Sequence, residues 1–130
     1  MISAISLSSV SLSNSIIANS VGGSDCHNLL GGILTIDTAS IIEDGSCGAT
    51  ALAGDIGLAS LADNGGPTQT HALLANSPAR NAGIPSTCTT TDQRGETRGS
   101  QCDIGSYEFI EDENCFVIKT AVGAVAVFCL

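Results

Sequence analysis

Tryptophan is absent from the 130-residue chain, and aromatic residues together make up only 3% of it. Any core must therefore be assembled from Ile, Leu, Val and Ala. Charged residues reach 13%, against about a quarter in ordinary globular chains. That scarcity excludes disorder, which needs high charge with low hydrophobicity, and a coiled coil, which needs Glu and Lys. Cations are scarcest of all: 4 Lys and Arg stand against 13 Asp and Glu, for a net charge of −9. Without a basic cluster to neutralise phosphates, nucleic acid is excluded as a partner. Anionic membrane surfaces are disfavoured on the same ground. No apolar run nears the roughly 20 residues of a membrane span, and Ala121 to Leu130 is half that length.

C-x-x-C pairs are also missing. Cys26, Cys47, Cys88, Cys102, Cys115 and Cys129 lie near no His cluster, so zinc is not expected. Disulfides are the better reading, and they place the protein outside the reducing cytosol, extracellular or at the cell surface. Six cysteines allow about 15 pairings; sequence neighbours suggest Cys26–Cys47, Cys88–Cys102 and Cys115–Cys129. Scattered aspartates could hold a cation such as Ca2+, but no ligand set is legible and no cofactor is expected.

What is present is 43% hydrophobic residues with 15 glycines, a composition for strands and tight turns in one domain. Met1 to Val21 has no Lys or Arg, and serines interrupt its apolar residues. This is strand-like sequence and not an export signal. The chain is therefore expected to be the C-terminal piece of a longer exported protein, able to associate through Ile2 to Ile17, with a mature protein whose leader has been removed as the milder alternative.

An internal repeat is legible. Asn14-Ser15-Ile16-Ile17-Ala18-Asn19-Ser20 aligns with Ala39-Ser40-Ile41-Ile42-Glu43-Asp44-Gly45 at an offset of 25 residues. Upstream, Val10-x-Leu12 aligns with Leu34-x-Ile36 at 24, so one residue is gained between the two matches. Such a period with short alternating strands suits a parallel β-solenoid, whose turns of chain each add two or three strands. A pair of similar strands in a β-sandwich is the bland alternative. In a solenoid Ile5, Leu7, Val10, Leu12 and Ile16 point inward, and Ser6, Ser8, Ser11, Ser13 and Ser15 mostly face water. Asn14 shares the inward phase, but its counterpart is Ala39, so it reads as a bend residue.

From about Gly54 the pattern changes. Asp63-Asn64-Gly65-Gly66-Pro67-Thr68 is a dense turn signal. Ser77-Pro78-Ala79 begins a helical turn that the following Asn-Ala-Gly ends. Cys88 to Cys102 has almost no apolar residues and reads as a stapled loop. Alternation returns at 103–109, with Ile104 and Tyr107 or Phe109 buried, before the acidic break of Glu111-Asp112-Glu113. Cys115 to Leu130 reads as a hairpin with Ala121, Val122 and Gly123 as its loop. Counting outward from Thr120 and Ala124 sets Cys115 opposite Cys129, in keeping with the proposed bridge.

Two long runs carry a resemblance: GDIGLASLADNGGPTQTHALLANSPARNAG from Gly54 to Gly83, and TDQRGETRGSQCDIGSYEF from Thr91 to Phe109. They resemble the C-terminal region of exported bacterial right-handed parallel β-helix proteins, the choice-of-anchor Q domain family. Asp55-Ile56 stands where that family commonly has Asp-Pro, and Arg80-Asn81 where it has Ile-Asp. The likeness covers nearly the whole chain, with Leu12 to Asn19 as a typical rung. It implies a coil closed by its C-terminal part, and surface attachment by varied C-terminal devices. It implies no catalytic residues.

The candidate chemistry is sparse. His71 has no nucleophile or base partner legible nearby and reads as a structural histidine bonded to turn backbone; His27 reads as an exposed turn residue. Asp92, Arg94 and Arg98 form the polar centre of the stapled loop, to which Asp103 and Glu108 could add. They bind carbohydrate or carboxylate, since Arg clamps carboxylates bidentately, or they are ion pairs fixing a loop that lacks a core. Polysaccharide lyases and glycoside hydrolases also use β-helices, but they need acids gathered on one face; here Asp25, Asp44, Asp55 and Asp63 sit in turns. Ice binding lacks a regular Thr row. The final hairpin could be a sorting signal, though a Cys-closed hairpin suits a folded cap equally.

The resulting expectation is an all-β, right-handed parallel β-helix of two to three rungs over residues 1–62. A disulfide-stapled C-terminal capping module, 63–130, completes the same structural unit and ends in a β-hairpin. The expected role is the non-catalytic capping end of an exported surface or adhesion-type protein. Its expected partners are its own upstream rungs and a polysaccharide or cell-surface glycan, and a lyase or hydrolase fragment is the alternative. A solenoid end exposes unpaired backbone and an open apolar interior, which a stapled module would cover.

Overall fold

Aliphatics spaced by serines and threonines form the first strands. A computed structural model describes residues 9–28, 32–49, 55–111, 115–119, 122–123 and 125–129, with 115–119 and 125–129 described by their backbone pairing alone. Strand β1 (Ser9–Leu12) runs parallel to β3 (Ile33–Ile36), setting Val10 against Leu34 and Leu12 against Ile36. Strand β2 (Ile16–Ile17) runs parallel to β4 (Ile41–Ile42), with Ile16 against Ile41. The register is that of the sequence repeat, and the gained residue lies in the second bend, 37–40, where the first unit has only 13–15.

Asp37 ties the two bends together. Its carboxylate accepts the Ser40 N–H and hydroxyl and the Ser13 hydroxyl, each at 2.7 Å, and the Asn14 N–H at 3.2 Å. Burial works to raise this carboxyl, but the Ser13 and Ser40 hydroxyls and the two N–H donors outweigh it and hold the group below its ordinary value. Beyond β2 and β4 the turns interlock in the same way. The Asp25 N–H donates to the Asp44 carboxylate and the Asp44 N–H to that of Asp25, at 3.0 and 3.1 Å. The disulfide Cys26–Cys47 joins the same two turns.

Burial along the strands is uneven. Ile41 and Ile42 are buried, and Leu12, Leu34 and Ile36 are half-buried. Val10, expected inside, is 53% exposed. It keeps the inward phase of Leu12 but gains little cover. The core residues of the later segment gather on Ile16, Ala39 and Ile41 and do not reach it. Ile5 and Leu7 lie outside the described residues.

Residues 55–111 have no strand longer than a single bridge. The glycine-rich turn joins a short antiparallel ladder, Leu58 with Leu73 and Ala62 with Thr70. This ladder links residues on both sides of position 62, where the sequence pattern places the division. At the turn, Gly66 has φ +82°, and a Cβ there would lie 2.8 Å from the Arg94 Cα, so only glycine fits. Ile56, Leu73, Ala79 and Ile104 pack with Ala39 and Ile41, and half-buried Ile16, Ala18, Tyr107 and Phe109 surround them. The segment thus touches both repeat units and not the second alone.

Asn14 anchors that contact. Its φ of +46° is tolerated by Asn, and it stands at the bend as expected. The side-chain amide imitates a backbone partner: Oδ1 accepts the Ile84 N–H at 2.8 Å while Nδ2 donates to the Ile84 carbonyl and to Thr87 Oγ1. The Asn14 carbonyl accepts the Gly105 N–H at 2.9 Å.

Strands β5 (Cys115–Lys119) and β6 (Val125–Cys129) pair antiparallel with Cys115 opposite Cys129, the register counted from the sequence. Gly123 takes φ +79° in the connecting loop. A bond between the two sulfurs lies outside the described side chains. Among the described residues helix is confined to two 3-10 turns, Ser46–Gly48 and Pro85–Thr87, and no helix is long and apolar enough to cross a membrane.

Candidate functional site

Pairing within the loop between Cys88 and Cys102, whose sulfurs are bonded, is limited to a single antiparallel bridge, Thr91 with Thr97. Its backbone must find partners elsewhere, because a buried N–H left without one costs about 1–3 kcal/mol. Three buried carboxylates supply them. Asp92 accepts the N–H groups of Arg94, Glu96 and Glu108. Glu108 accepts those of Gly99 and Asp103, and Asp103 those of Asn81 and Phe109. Distances run from 2.6 to 3.1 Å.

Two guanidinium groups complete the lattice. Arg94 pairs with Asp92 at 2.7 Å and donates to the Glu108 carbonyl at 2.6 Å. Asp92 and Arg94 thereby hold the N–H and the carbonyl of Glu108 as a neighbouring strand would. The face of the Tyr107 ring lies 3.7 Å from the Arg94 guanidinium carbon. Arg98 pairs with Glu108 at 2.9 Å and donates to the carbonyls of Asp103 and Gly105. Arg94 and Arg98 side chains are only 9% and 8% exposed. Burial works to raise the Asp92 carboxyl, but the Glu108 N–H, the Arg94 side chain and the Arg94 and Glu96 N–H groups overcome it and hold the group below its ordinary value.

Asp92, Arg94 and Arg98 are therefore brought together, with Asp103 and Glu108 in the same lattice. Their charged ends face each other and the backbone, so a sugar or carboxylate could reach them only by displacing these bonds. His71 is exposed and lies 2.7 Å from the Ala59 carbonyl across the short ladder. A carbonyl only accepts, so Nδ1 carries the proton, and in neutral His71 Nε2 is an acceptor. His27 is exposed. Among the described residues no group of three or more His, Cys, Asp or Glu could hold a metal ion.

An open groove of about 560 Å³ lies beside the lattice. One wall is β2 and its flanks, from Asn14 to Asn19; the other comes from Leu58, Leu61, Gln69 and His71, with Ser106 and Tyr107 also lining it. The sequence carried no signal for it, because its walls, Asn14 to Asn19 and Leu58 onward, lie 39 or more positions apart. Comparison of the chain with protein-family models, with curated proteins and with solved structures finds no match.

Proposed function

We propose that the chain is the closing end of a right-handed parallel β-helix of the choice-of-anchor Q kind, exported and held at a cell surface, with a structural and not a catalytic role. The supporting observation is the parallel register of the two units, Val10 on Leu34 and Ile16 on Ile41, with the later segment packed against both. Packing of Ile104 against Ile41 and Ile16 covers apolar surface that a bare pair of units would leave to water. The disulfides Cys26–Cys47 and Cys88–Cys102 favour an oxidising compartment. A lyase or hydrolase fragment draws no comparable support. Glycosidic hydrolysis uses a pair of free carboxylates about 5–10 Å apart, whereas Asp92, Asp103 and Glu108 are each engaged by backbone donors and no acid among the described residues lines the groove.

Deletion of residues 55–130 tests the closing role. The shortened chain is expected to aggregate or remain unfolded, since Ile41 loses its cover. A soluble 1–54 fragment with a cooperative urea transition would overturn the reading.

A further inference from the structure

We propose that the groove between β2 and the 58–73 ladder binds a neutral saccharide. It rests on the same packing of the later segment on β2 that supports the closing role, but asks for something that role does not need. The groove's volume falls in the usual range of small-molecule sites, about 300–1,000 Å³. In a chain of net charge −9, no Asp, Glu, Lys or Arg among the described residues lines it. An ionic ligand would find no counter-charge there, and the field of the whole chain repels anions. A purely apolar ligand would leave the amide, imidazole and hydroxyl groups dry and unpaired.

A sugar satisfies both halves of the lining. Its hydroxyls both donate and accept, which matches the Gln69 amide, the Asn19 amide, the Ser106 hydroxyl and Nε2 of His71. Among the described residues none of these four groups has a hydrogen-bond partner, whereas the nearby amides of Asn14 and Asn64 are engaged. The weakly positive C–H face of a sugar suits Ile16, Leu61 and the exposed part of the half-buried Tyr107 ring, whose negative face attracts such groups. Arg94 backs that ring and is itself locked to Asp92, so the platform is held before any ligand arrives.

The test is titration of the full oxidised chain, followed by amide NMR and calorimetry. The neutral probes are cellotetraose, laminaritetraose, maltotetraose and chitotetraose, with tetragalacturonate as the charged probe. At least one neutral probe is expected to bind with micromolar to millimolar Kd and to shift the Gln69, His71 and Ser106 amides. Gln69→Ala is expected to weaken it about tenfold, the equivalent of about 1.4 kcal/mol. Gln101→Ala, away from the groove, should leave the Kd within about twofold. His71→Ala should also weaken binding; if it disturbs the ladder, Gln69→Ala still decides the question. The proposal fails if no neutral probe shifts those amides at about 10 mM, if tetragalacturonate alone binds, or if Gln69→Ala leaves the affinity unchanged. Such a failure leaves the closing role standing, because that role is read from folding of the shortened chain and not from ligand.

Discussion

Residues 9–49 and 55–111 satisfy their backbone differently, the first with parallel ladders and the second with buried ion pairs. In the first region each unit satisfies its backbone by lying in register beside its copy, so Ser15 and Ile17 carbonyls accept Ile41 and Glu43 N–H groups directly. In the second there is no copy to lie against. Seven backbone N–H groups go to just three carboxylates there, and Arg94 and Arg98 answer three carbonyls. The first region also gives N–H groups of its turns to carboxylates, those of Asp25, Asp37, Glu43 and Asp44, but none of these acids is buried and no arginine lies in that region. An irregular loop needs charges, and they must be buried to hold one geometry. The uneven use of this chain's sparse cations follows: all three arginines lie in the second region.

The sharpest break of that contrast is a carboxylate removed from each side. Glu108→Ala strips Arg98 of its counter-charge in a nearly closed site and orphans the Gly99 and Asp103 N–H groups. It is expected to cost about 3–5 kcal/mol, read from urea denaturation. Glu43→Ala removes only the bond from the exposed Asn19 N–H and is expected to cost about 1 kcal/mol or less. Equal costs would mean that the second region's charges do not stand in for a ladder.

The disulfides come next, and here the two regions should look alike. Cys26→Ala with Cys47→Ala, and Cys88→Ala with Cys102→Ala, open loops of 21 and 14 residues. Chain entropy assigns each bridge about 3 kcal/mol, the longer loop being favoured by only a few tenths. A gap of more than about 2 kcal/mol between the double variants would show that one bridge acts through the native contacts around it and not through the unfolded chain.

Acid probes both regions at once. The Asp37 and Asp92 carboxyls are held below their ordinary value of 3.8 in the folded chain, so the unfolded chain binds protons more readily. Their stabilisation is complete above about pH 5 and is lost as pH falls through 3.8 towards the folded values. Urea midpoints should therefore drop between pH 5 and pH 3, with protons taken up on unfolding. Asp37→Asn and Asp92→Asn should each flatten part of that slope. A midpoint constant down to pH 3 would rule the effect out.

How much of this could be read from residue order divides along the same line. The β1–β3 and β2–β4 registers were legible because both copies are written in aliphatics, and the one-residue gain at the second bend was visible as a change of offset from 24 to 25. Two cysteine pairs were legible as neighbours. The partners of Arg98 were not, since a guanidinium takes whichever carboxylate the folded path brings near, and here that is Glu108 and not Asp92. Asn14 was legible as a bend but not as an anchor, because Ile84 lies 70 positions away and no period connects them. Asp37 was not singled out, because the Ser13 hydroxyl that it holds comes from the other unit, 24 positions away.

The smallest expected effect sharpens the comparison within the first region itself. Ile33 in β3 is 56% exposed, whereas Ile42 in β4 is fully buried. Both are isoleucines in parallel strands, so strand preference cannot separate them. Ile33→Thr keeps the β-branched shape that strands favour and removes apolar surface already in water. It should change stability by no more than about 0.5 kcal/mol. Ile42→Val, which removes a single methyl group, should cost about 0.5–1.5 kcal/mol because it leaves a gap in packed surroundings. If Ile33→Thr instead costs as much as Ile42→Val, the outer face of β3 is covered in solution. That cover would have to be a second copy of the chain or another stretch of it. Repeating the measurement across a hundredfold range of protein concentration separates the two, since only cover by a second copy makes stability rise with concentration.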